Sequence, residues 1–380
     1  MINIQIRPLQ YRDIQTINNL GKELETIKQW YGLLKFCKLF PNPLQDFLWL
    51  YIAQIEQQCL GVIHIAPFNR SRSTWRVHWV LTDKEHNLDP ELISGRNSVG
   101  SQLLRYCFEK IWEARTWIIE VNIHEKNNLA LYRQNGFQPL AQLTYWCLDP
   151  EKLAQLAQIE PQLPNLLPVS NAEAQLLYQL DTVSMPPLLR QVFDRHPLDF
   201  KTPLFKSLIN RFKPWFNGKE VTCAYVFEPQ RKAAIAYFKL EISKNGSQPH
   251  QAQLTVHPAY TWLYPELVAQ MAKIVQNYPT QALELASADY QSEREEFLEK
   301  LGATQVENTL LMSRSVWHKL REAKPLEGLQ LSDVLKGLQP ARTPIPSRMS
   351  WLESTAESQP SGDSDISTDT NNLNDKNPRR

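Results

Sequence analysis

One order of elements occurs twice along this chain, and that repetition constrains the fold more than any single motif. In each half, a strand hairpin and a third strand precede a helix, an apolar strand, a short helix and a last strand. The short helix ends at Gly136 in the first half and at Gly302 in the second. Glycine is favoured just after a helix C-terminus because it adopts a left-handed backbone without a Cβ penalty. The chain is therefore predicted to be a diverged tandem repeat of one mixed α+β unit.

The elements of the first half follow from hydrophobic periodicity, which is two in strands and 3.6 in helices. Predicted strands span 2–9, 47–54, 59–68, 74–82, 117–123 and 140–148, and predicted helices span 23–36, 99–114 and 127–135. A further helical stretch begins at Asp13. In the strand at 74–82, simple alternation places Trp75, Val77, Trp79 and Leu81 on one face and Arg76, His78 and Val80 on the other.

The second half repeats this order after a proline-rich connector that includes a short helix. Predicted helices span 171–183, 265–277 and 294–301, and predicted strands span 222–227, 233–242, 251–256, 282–286 and 308–313. The expected domains are 1–149 and 168–324, with a linker at 150–167 and a tail at 325–380. We expect the tail to be disordered, because its Ser, Thr, Asp, Asn and Pro cannot build a core. Residues 329–338 are either a motif for a protein partner or part of an unattached linker, which is the simpler interpretation.

Composition and charge narrow the class of protein. The 380 residues are 42% hydrophobic and 21% charged, which is typical of a globular protein with room for two cores. Lys and Arg number 41 against 40 Asp and Glu, so neither nucleic acid nor a membrane surface is an expected partner. No run approaches the roughly 18 apolar residues of a membrane span. The 5 cysteines are scattered without a CxxC pair, which favours reduced thiols, no metal site and a cytoplasmic location.

A loop of small residues precedes the helix predicted at 99–114. It reads GRNSVGSQLL from Gly95 to Leu104. Backbone N–H groups at a helix N-terminus bind phosphate, because the helix dipole favours an anion and small residues allow close approach. The N-terminal cap of an ordinary helix uses the same residue types. The loop by itself therefore leaves a phosphate site and a simple helix cap both open.

A second segment makes the first one specific. The strand at 117–123 leads into HEKNNLALYRQNGF at 124–137. Together the two segments resemble the GNAT superfamily of acyl-CoA-dependent N-acyltransferases, whose pyrophosphate loop reads Q/R-x-x-G-x-G/A and whose later signature ends in L-Y, three residues, then G-F. The matching residues are Val99, Gly100, Leu131, Tyr132, Gly136 and Phe137. The resemblance covers about residues 3 to 148, and the strand order agrees with it.

The chain departs from the family pattern in both segments. Ser98 replaces the first loop glycine, and Gly95 stands at the usual Gln/Arg place with Arg96 one position late. Arg96 either reaches the pyrophosphate from there or is an exposed loop arginine. Glu125 stands where the later signature commonly has Asn, and Asn128 where it commonly has Ala. Asn128 is either a displaced CoA contact or an ordinary asparagine at a helix N-terminus.

The resemblance implies an acyl-CoA site where two neighbouring strands splay apart. Pantetheine would hydrogen-bond the backbone of the strand at 74–82 as an added strand does. A backbone N–H near Val80 would polarise the thioester carbonyl, and the first turn of the helix at 99–114 would hold the pyrophosphate. The implied CoA contacts are Trp79, Val80, Leu81, Arg96, Ser98, Val99, Gly100, Ser101 and Asn128. The co-substrate would be acetyl-CoA, with an unidentified amine as acceptor and no metal.

Proton transfer has one candidate acid and several candidate bases. Tyr132 matches the family's acid, since a phenol with a pKa of about 10 stays protonated at neutral pH and can protonate a leaving thiolate. Its alternative is a packed core tyrosine. The acceptor ammonium must also lose a proton, and His78, Glu120 and His124 are the titratable groups near the splayed strands. His78 ranks first, although a structural role for each of the three and a chain of water molecules stay open.

The second half lacks these features. Aligning Gly302 on Gly136 puts Leu298 at the position of Tyr132, and the loop at 257–267 has no glycine. It is therefore interpreted as a degenerate copy that packs on the first half and shapes or covers the acceptor site. In the first half, the turn FNRSRST, which contains Arg70, is expected to be a solvated hairpin tip rather than a contact for the CoA 3′-phosphate.

Two functions fit these residues. The first is an N-acyltransferase that moves an acetyl group from acetyl-CoA to a primary amine by direct attack on the thioester; Gly100 and Tyr132 favour it. The alternative is a non-catalytic CoA-sensing or scaffold protein of the same fold, favoured by Gly95, Ser98 and Glu125. The enzyme is the preferred interpretation.

Overall fold

The computed structural model describes residues 4–10, 13, 49–56, 58–82, 97–201 and 219–316, all of which lie in one compact unit, Met1–Lys319. The strands of this part are β1 (Gln5–Pro8), β2 (Trp49–Ile55), β3 (Gln58–Pro67), β4 (Thr74–Thr82), β5 (Thr116–Asn122), β6 (Gln138–Leu148), β7 (Leu166–Pro168), β8 (Lys219–Glu228), β9 (Ala233–Ser243), β10 (His250–Val256), β11 (Leu283–Ala288) and β12 (Thr304–Ser315). The α-helices are α1 (Val99–Lys110), α2 (Lys126–Gln134), α3 (Pro150–Leu156), α4 (Ala174–Ser184), α5 (Pro187–Phe193), α6 (Tyr264–Val275) and α7 (Ser292–Leu301).

These elements match the predicted order and confirm a mixed α+β class. The short helix α5 and the short strand β7 were not predicted. The predicted helix at 23–36, most of the one that begins at Asp13, and the tail at 325–380 lie outside the described residues.

The strands form one continuous sheet rather than two. Its order is β1-β2-β3-β4-β5-β12-β6-β11-β10-β9-β8-β7, with β4–β5 and β10–β11 as parallel pairs. The last strand of the second half, β12, lies between β5 and β6 of the first half. In return, β6 pairs with β11 of the second half. The two halves are therefore interlocked. The predicted division into domains at 1–149 and 168–324 stays a prediction.

Helices cover both faces of this sheet. In the first half, α1 and α2 pack on a core that includes Trp75, Ile119 and Met312. In the second half, α6 and α7 pack on a core around Trp146 and Phe238. The helix α5 lies on the face opposite α1, because its Leu189 packs against Leu311, and Leu311 alternates with Met312 along β12.

Two glycines end equivalent helices, as the sequence predicts. Gly136 follows α2 with a φ of 81°, and Gly302 follows α7 with a φ of 82°. In both places the next N–H bonds back to the carbonyl five residues earlier, from Phe137 to Tyr132 and from Ala303 to Leu298, each at 3.0 Å. The same closing geometry in both halves supports the tandem repeat.

A β-bulge in β4 overturns the predicted alternation of that strand. Val77 and Trp79 pair with the consecutive residues Ile65 and His64, so His78 is the extra residue. Each residue after the bulge therefore lies on the face of the sheet opposite to the one that simple alternation predicts. Val77 and Val80 therefore face the core under α1, whereas Trp79 packs in a separate cluster on the other side.

The turn between β3 and β4 is docked rather than solvated, in contrast to the prediction. Asn69 Nδ2 donates to the carbonyl of Asp194 at 2.8 Å, and Ser73 Oγ donates to the Asp194 carboxylate at 2.6 Å. The backbone N–H of Arg70 donates to Asp199 Oδ1 at 2.6 Å. The segment after α5, which belongs to the second half, thus holds the turn that leads into β4.

Candidate functional site

A cleft opens between β4 and β5. Their parallel pairing runs from Thr74 and Thr116 to Val77 and Ile119 and then stops, although β4 continues to Thr82 and β5 to Asn122. The bulged residue His78 comes directly after the last pair. The predicted splay is thereby confirmed, and unpaired strand edges border the cleft on both sides.

The N-terminus of α1 is built around two buried serines. Ser98 is the N-cap, and its Oγ accepts a hydrogen bond from the Ser101 N–H at 3.3 Å. Ser98 Oγ donates to Ser101 Oγ at 3.0 Å, and Asn135 Nδ2 donates to the same oxygen at 2.8 Å. Because these hydroxyls bond within the protein, any contact to a phosphate here would come from backbone N–H groups of the first turn.

Gly100 brings α1, α2 and β4 together. A Cβ at this position would lie 2.9 Å from Leu131 Cδ2 of α2 and 3.6 Å from Val80 Cγ1 of β4. The structure thus places two residues of the predicted site, Gly100 and Val80, beside Leu131 of the later signature, and the glycine has a packing reason of its own. A large substitution there would disturb α2 whether or not a phosphate binds.

Tyr132 lies on α2 next to the signature phenylalanine. Its side chain is 3% exposed, and its ring meets that of Phe137 edge to face with centroids 5.8 Å apart. Burial raises its pKa, and the negative charge of Glu125 adds to the increase. The phenol is therefore protonated at neutral pH, which both the acid and the packed-core interpretation allow.

The imidazoles of His78 and His64 stack on one another at the bulge. Their centroids are 4.5 Å apart and their planes differ by 19°. Removal from water lowers the pKa of His64 to about 4, with His78 adding to the effect. Desolvation by neighbouring protein atoms, and secondly the charge of Arg76, lower the pKa of His78, but its side chain is exposed to solvent, which reduces the effect of desolvation. At neutral pH His78 is thus a neutral group.

Glu120, one of the other predicted bases, is held by residues that sequence reasoning missed. Its Oε1 accepts hydrogen bonds from Tyr145 Oη of β6 at 2.5 Å and from Thr309 Oγ1 of β12 at 2.8 Å. The sequence gives no signal for this cluster, since Thr309 lies in the other half of the chain. Only the insertion of β12 beside β5 brings the three side chains together.

The equivalent cleft of the second half is closed by Arg294. The pairing of β10 with β11 ends at Ala252 and Leu285, so these strands also part. Arg294 of α7 is 4% exposed, and its guanidinium donates to Leu254 O of β10 at 2.7 Å and to Ala286 O of β11 at 3.0 Å. It also lies 5.4 Å from the ring centroid of Tyr264. One side chain thus bridges the two strand edges that an inserted ligand would contact.

The other predicted contacts are distributed around the first cleft. Trp79 and Leu81 are half-buried and pack in the cluster on the face opposite α1. Val99, the first residue of α1, is fully buried in the core between α1 and the sheet. Asn128 Nδ2 donates to Glu125 Oε2 at 2.6 Å, so it is bonded within its own helix. Gly95 and Arg96 lie outside the described residues.

Two other features, a metal site and a membrane-spanning helix, are absent from the described ranges. No group of three or more His, Cys, Asp or Glu residues there is arranged to hold a metal ion. No helix in that part of the chain has the length and apolarity needed to cross a membrane.

Comparison with known proteins identifies the fold. A tandem GNAT protein from the clavulanic acid biosynthesis pathway matches with a TM-score of 0.51 at 13% identity, covering 84% of this chain and 100% of that one. A GCN5-related N-acetyltransferase from Sphaerobacter thermophilus matches with a TM-score of 0.50 at 11% identity, covering 83% of this chain and 97% of that one. No protein-family model and no curated protein matches the sequence. At these identities the likeness establishes the fold alone.

Proposed function

We propose that this chain, which has the tandem GNAT fold, is an N-acyltransferase that binds acetyl-CoA in the cleft of its first half and acetylates a primary amine. The single observation that carries the proposal is that the pairing of β4 with β5 stops at Val77 and Ile119 although both strands continue. The cleft between them lies beside the N-terminus of α1 and beside α2, the helix that carries Tyr132. The first half thus groups a strand edge for pantetheine, a helix N-terminus for the pyrophosphate and a protonated phenol.

The second half supports a single acetyl-CoA site per chain. Its cleft is already bridged by Arg294, and Leu298 stands at the position of Tyr132. We infer that this half serves to shape the site of the first half rather than to bind a second CoA. The predicted division into domains at 1–149 and 168–324 is kept in this functional sense.

In the proposed reaction the amine attacks the thioester carbonyl while the backbone near Val80 stabilises the developing oxyanion. Tyr132 gives its proton to the leaving thiolate. Trp79 and Leu81 border the pantetheine, and the first turn of α1, from Ser98 through Val99 and Gly100 to Ser101, faces the pyrophosphate.

The test copies the closed cleft of the second half into the first. Asn128 and Arg294 occupy equivalent positions, because each lies eight residues before the glycine that ends its helix. We expect Asn128→Arg to block acetyl-CoA binding, because a guanidinium can bridge the two strand edges there as Arg294 does in the second half. The neighbouring and exposed Asn127→Arg adds the same charge without reaching the cleft and is the control.

Isothermal titration of the full chain with acetyl-CoA measures the outcome. We expect one site per chain in the wild type and in Asn127→Arg, and at least about tenfold weaker binding in Asn128→Arg. Equal binding by all three proteins would contradict the proposed cleft. Binding of one acetyl-CoA without thiol release in the presence of any amine would favour the alternative, a CoA sensor or scaffold.

We also infer a cytoplasmic location. Cys107, Cys147 and Cys223 are thiols in the described ranges, and thiols persist in a reducing compartment.

A further inference from the structure

We propose that Glu120 binds the ammonium group of the acceptor and takes its proton, and that the second half holds Glu120 in position through β12. This inference rests on the proposed function, because it concerns the acceptor side of the same cleft. It names the acceptor as an amine that arrives as a cation, and it makes the second half part of the active site.

The position of Glu120 relative to the cleft is the first argument. Glu120 is the residue of β5 that directly follows the last β4–β5 pair, Val77 with Ile119. Its neighbours Ile119 and Val121 are buried under α1 and α2, so the Glu120 side chain lies on the opposite face of the sheet. A base on this face and an acid on α2 would serve the attacking nitrogen and the leaving sulfur from opposite sides.

The hydrogen bonds of Glu120 are the second argument. Tyr145 Oη and Thr309 Oγ1 both donate to Oε1, and among the described residues no donor reaches Oε2. Burial raises the pKa of Tyr145, and the charge of Glu120 adds to this, so the phenol stays protonated and keeps donating. The carboxylate is thereby fixed in orientation with one oxygen left to accept a proton.

A comparison of the two halves gives the third argument. Ala286 stands at the position of Glu120, since each residue directly follows the last pair of its parallel strands. Leu143 stands at the position of Thr309. Thr309 pairs with Asn122, two residues after Glu120, and Leu143 pairs with Ala288, two residues after Ala286. The carboxylate and its hydroxyl partner thus occur only in the half whose cleft is open. A purely structural role would not require that coincidence.

The charges around Glu120 favour a cationic ligand. Arg76 lies on the same face in the neighbouring strand, where its guanidinium stacks on the Phe68 ring, 5.5 Å from the centroid, and its positive charge opposes the rise in the pKa of Tyr145. Glu307 of β12 pairs across the sheet with Tyr145 and accepts a hydrogen bond from Asn122 Nδ2 at 2.8 Å. It adds a second carboxylate to this face. The carboxylates on this face outnumber that single cation.

The proton balance of the step is complete without another reactant. The acceptor R–NH₃⁺ gives one proton to Glu120 Oε2, and the neutral nitrogen then attacks the thioester carbon. As the C–N bond forms and the C–S bond breaks, the nitrogen releases its second proton to water, and the thiolate takes the proton of Tyr132. Glu120 then releases its proton to water and Tyr132 regains one. The net products are the amide, the CoA thiol and one proton.

The experiment measures thiol release from acetyl-CoA by the full chain with two sets of probe amines. Primary alkylamines are cationic at neutral pH, whereas aromatic amines of similar size are neutral. We expect turnover with alkylamines, and a loss in kcat/KM of at least about 100-fold in Glu120→Gln. Acetyl-CoA affinity should not change. Glu284→Gln, which removes a carboxylate from β11, the equivalent strand of the second half, is the matched control and should behave as wild type.

Two further variants test the positioning role. Tyr145→Phe and Thr309→Val each remove one donor to Oε1 and nearly preserve shape. We expect each to lower kcat for alkylamines while acetyl-CoA affinity persists, because the carboxylate is then less well oriented to take the proton. A merely structural effect would weaken acetyl-CoA binding as well. His78 and Arg76 on β4 and Glu307 on β12 also border Glu120, and they are unchanged in these variants.

The outcomes separate this inference from the proposed function. If the wild type acetylates alkylamines and Glu120→Gln stays within about threefold of it, Glu120 is not the base and the transferase function stands. A preference for aromatic amines would overturn the cationic acceptor. If acetyl-CoA binds but no amine releases thiol, the transferase function itself fails and this inference fails with it.

Discussion

Replacing Arg294 by alanine tests whether one side chain holds the second cleft closed. The change removes two hydrogen bonds from a buried cation to the carbonyls of Leu254 and Ala286, each contributing about 1.5–3 kcal/mol, and the contact with the Tyr264 ring, about 1 kcal/mol. Two effects oppose the loss: the desolvation of the cation is relieved, and Arg294 Nε, which is buried without a partner among the described residues, disappears. We expect a net loss of about 3 kcal/mol in the free energy of unfolding.

Guanidinium denaturation of the full chain, followed by tryptophan fluorescence, measures this loss as a lower midpoint at unchanged slope. Arg231→Ala is the control, because Arg231 also lies over a tyrosine ring, 5.3 Å from the centroid of Tyr260, but is exposed. We expect that variant to lose less than about 0.5 kcal/mol. Arg294→Lys should fall between the two, since an ammonium cannot reproduce the planar fork that reaches both carbonyls. A loss below about 1 kcal/mol in Arg294→Ala would refute the argument that this side chain holds β10 and β11 together.

Three further predictions follow from single contacts. Tyr132→Phe should lower thiol release about 100-fold or more while acetyl-CoA affinity persists, as measured by turnover and titration; unchanged turnover would exclude Tyr132 as the acid. Gly61→Ala should cost about 1–3 kcal/mol in denaturant unfolding, because its Cβ would lie 2.8 Å from the backbone oxygen of Leu81; a neutral result would mean that β3 and β4 can move apart. The pKa of His64 is lowered to about 4 in the folded chain against about 6.5 when unfolded, so the unfolded state binds the extra proton between these values, and stability should fall by roughly 2 kcal/mol as pH drops from 6.5 to 4. His64→Gln should show a shallower fall over the same range in unfolding experiments, whereas identical slopes would show that His64 titrates normally.

Much of the local structure follows from the sequence, because it depends on neighbours along the chain. The glycines after α2 and α7 mark two helix ends, since only a residue without Cβ adopts that backbone readily. The strands of each half, in their order along the chain, follow from period-two patterns. The paired motifs around Gly100 and Tyr132 indicate the family whose fold the chain has. The alternation within β4 could not be predicted past Val77, because the bulge at His78 depends on pairing with β3.

The sequence by itself thus determined the elements, their repeated order and the half that carries the motifs resembling the GNAT pattern. The tertiary structure decided how the two halves share strands. The insertion of β12 between β5 and β6 brings Thr309 to Glu120, and the packing of α7 brings Arg294 into the second cleft. Both contacts join residues far apart in the chain, and no local pattern encodes them. The hydrophobic pattern of one strand is compatible with many partner strands, so the actual neighbours are decided only when the whole sheet assembles.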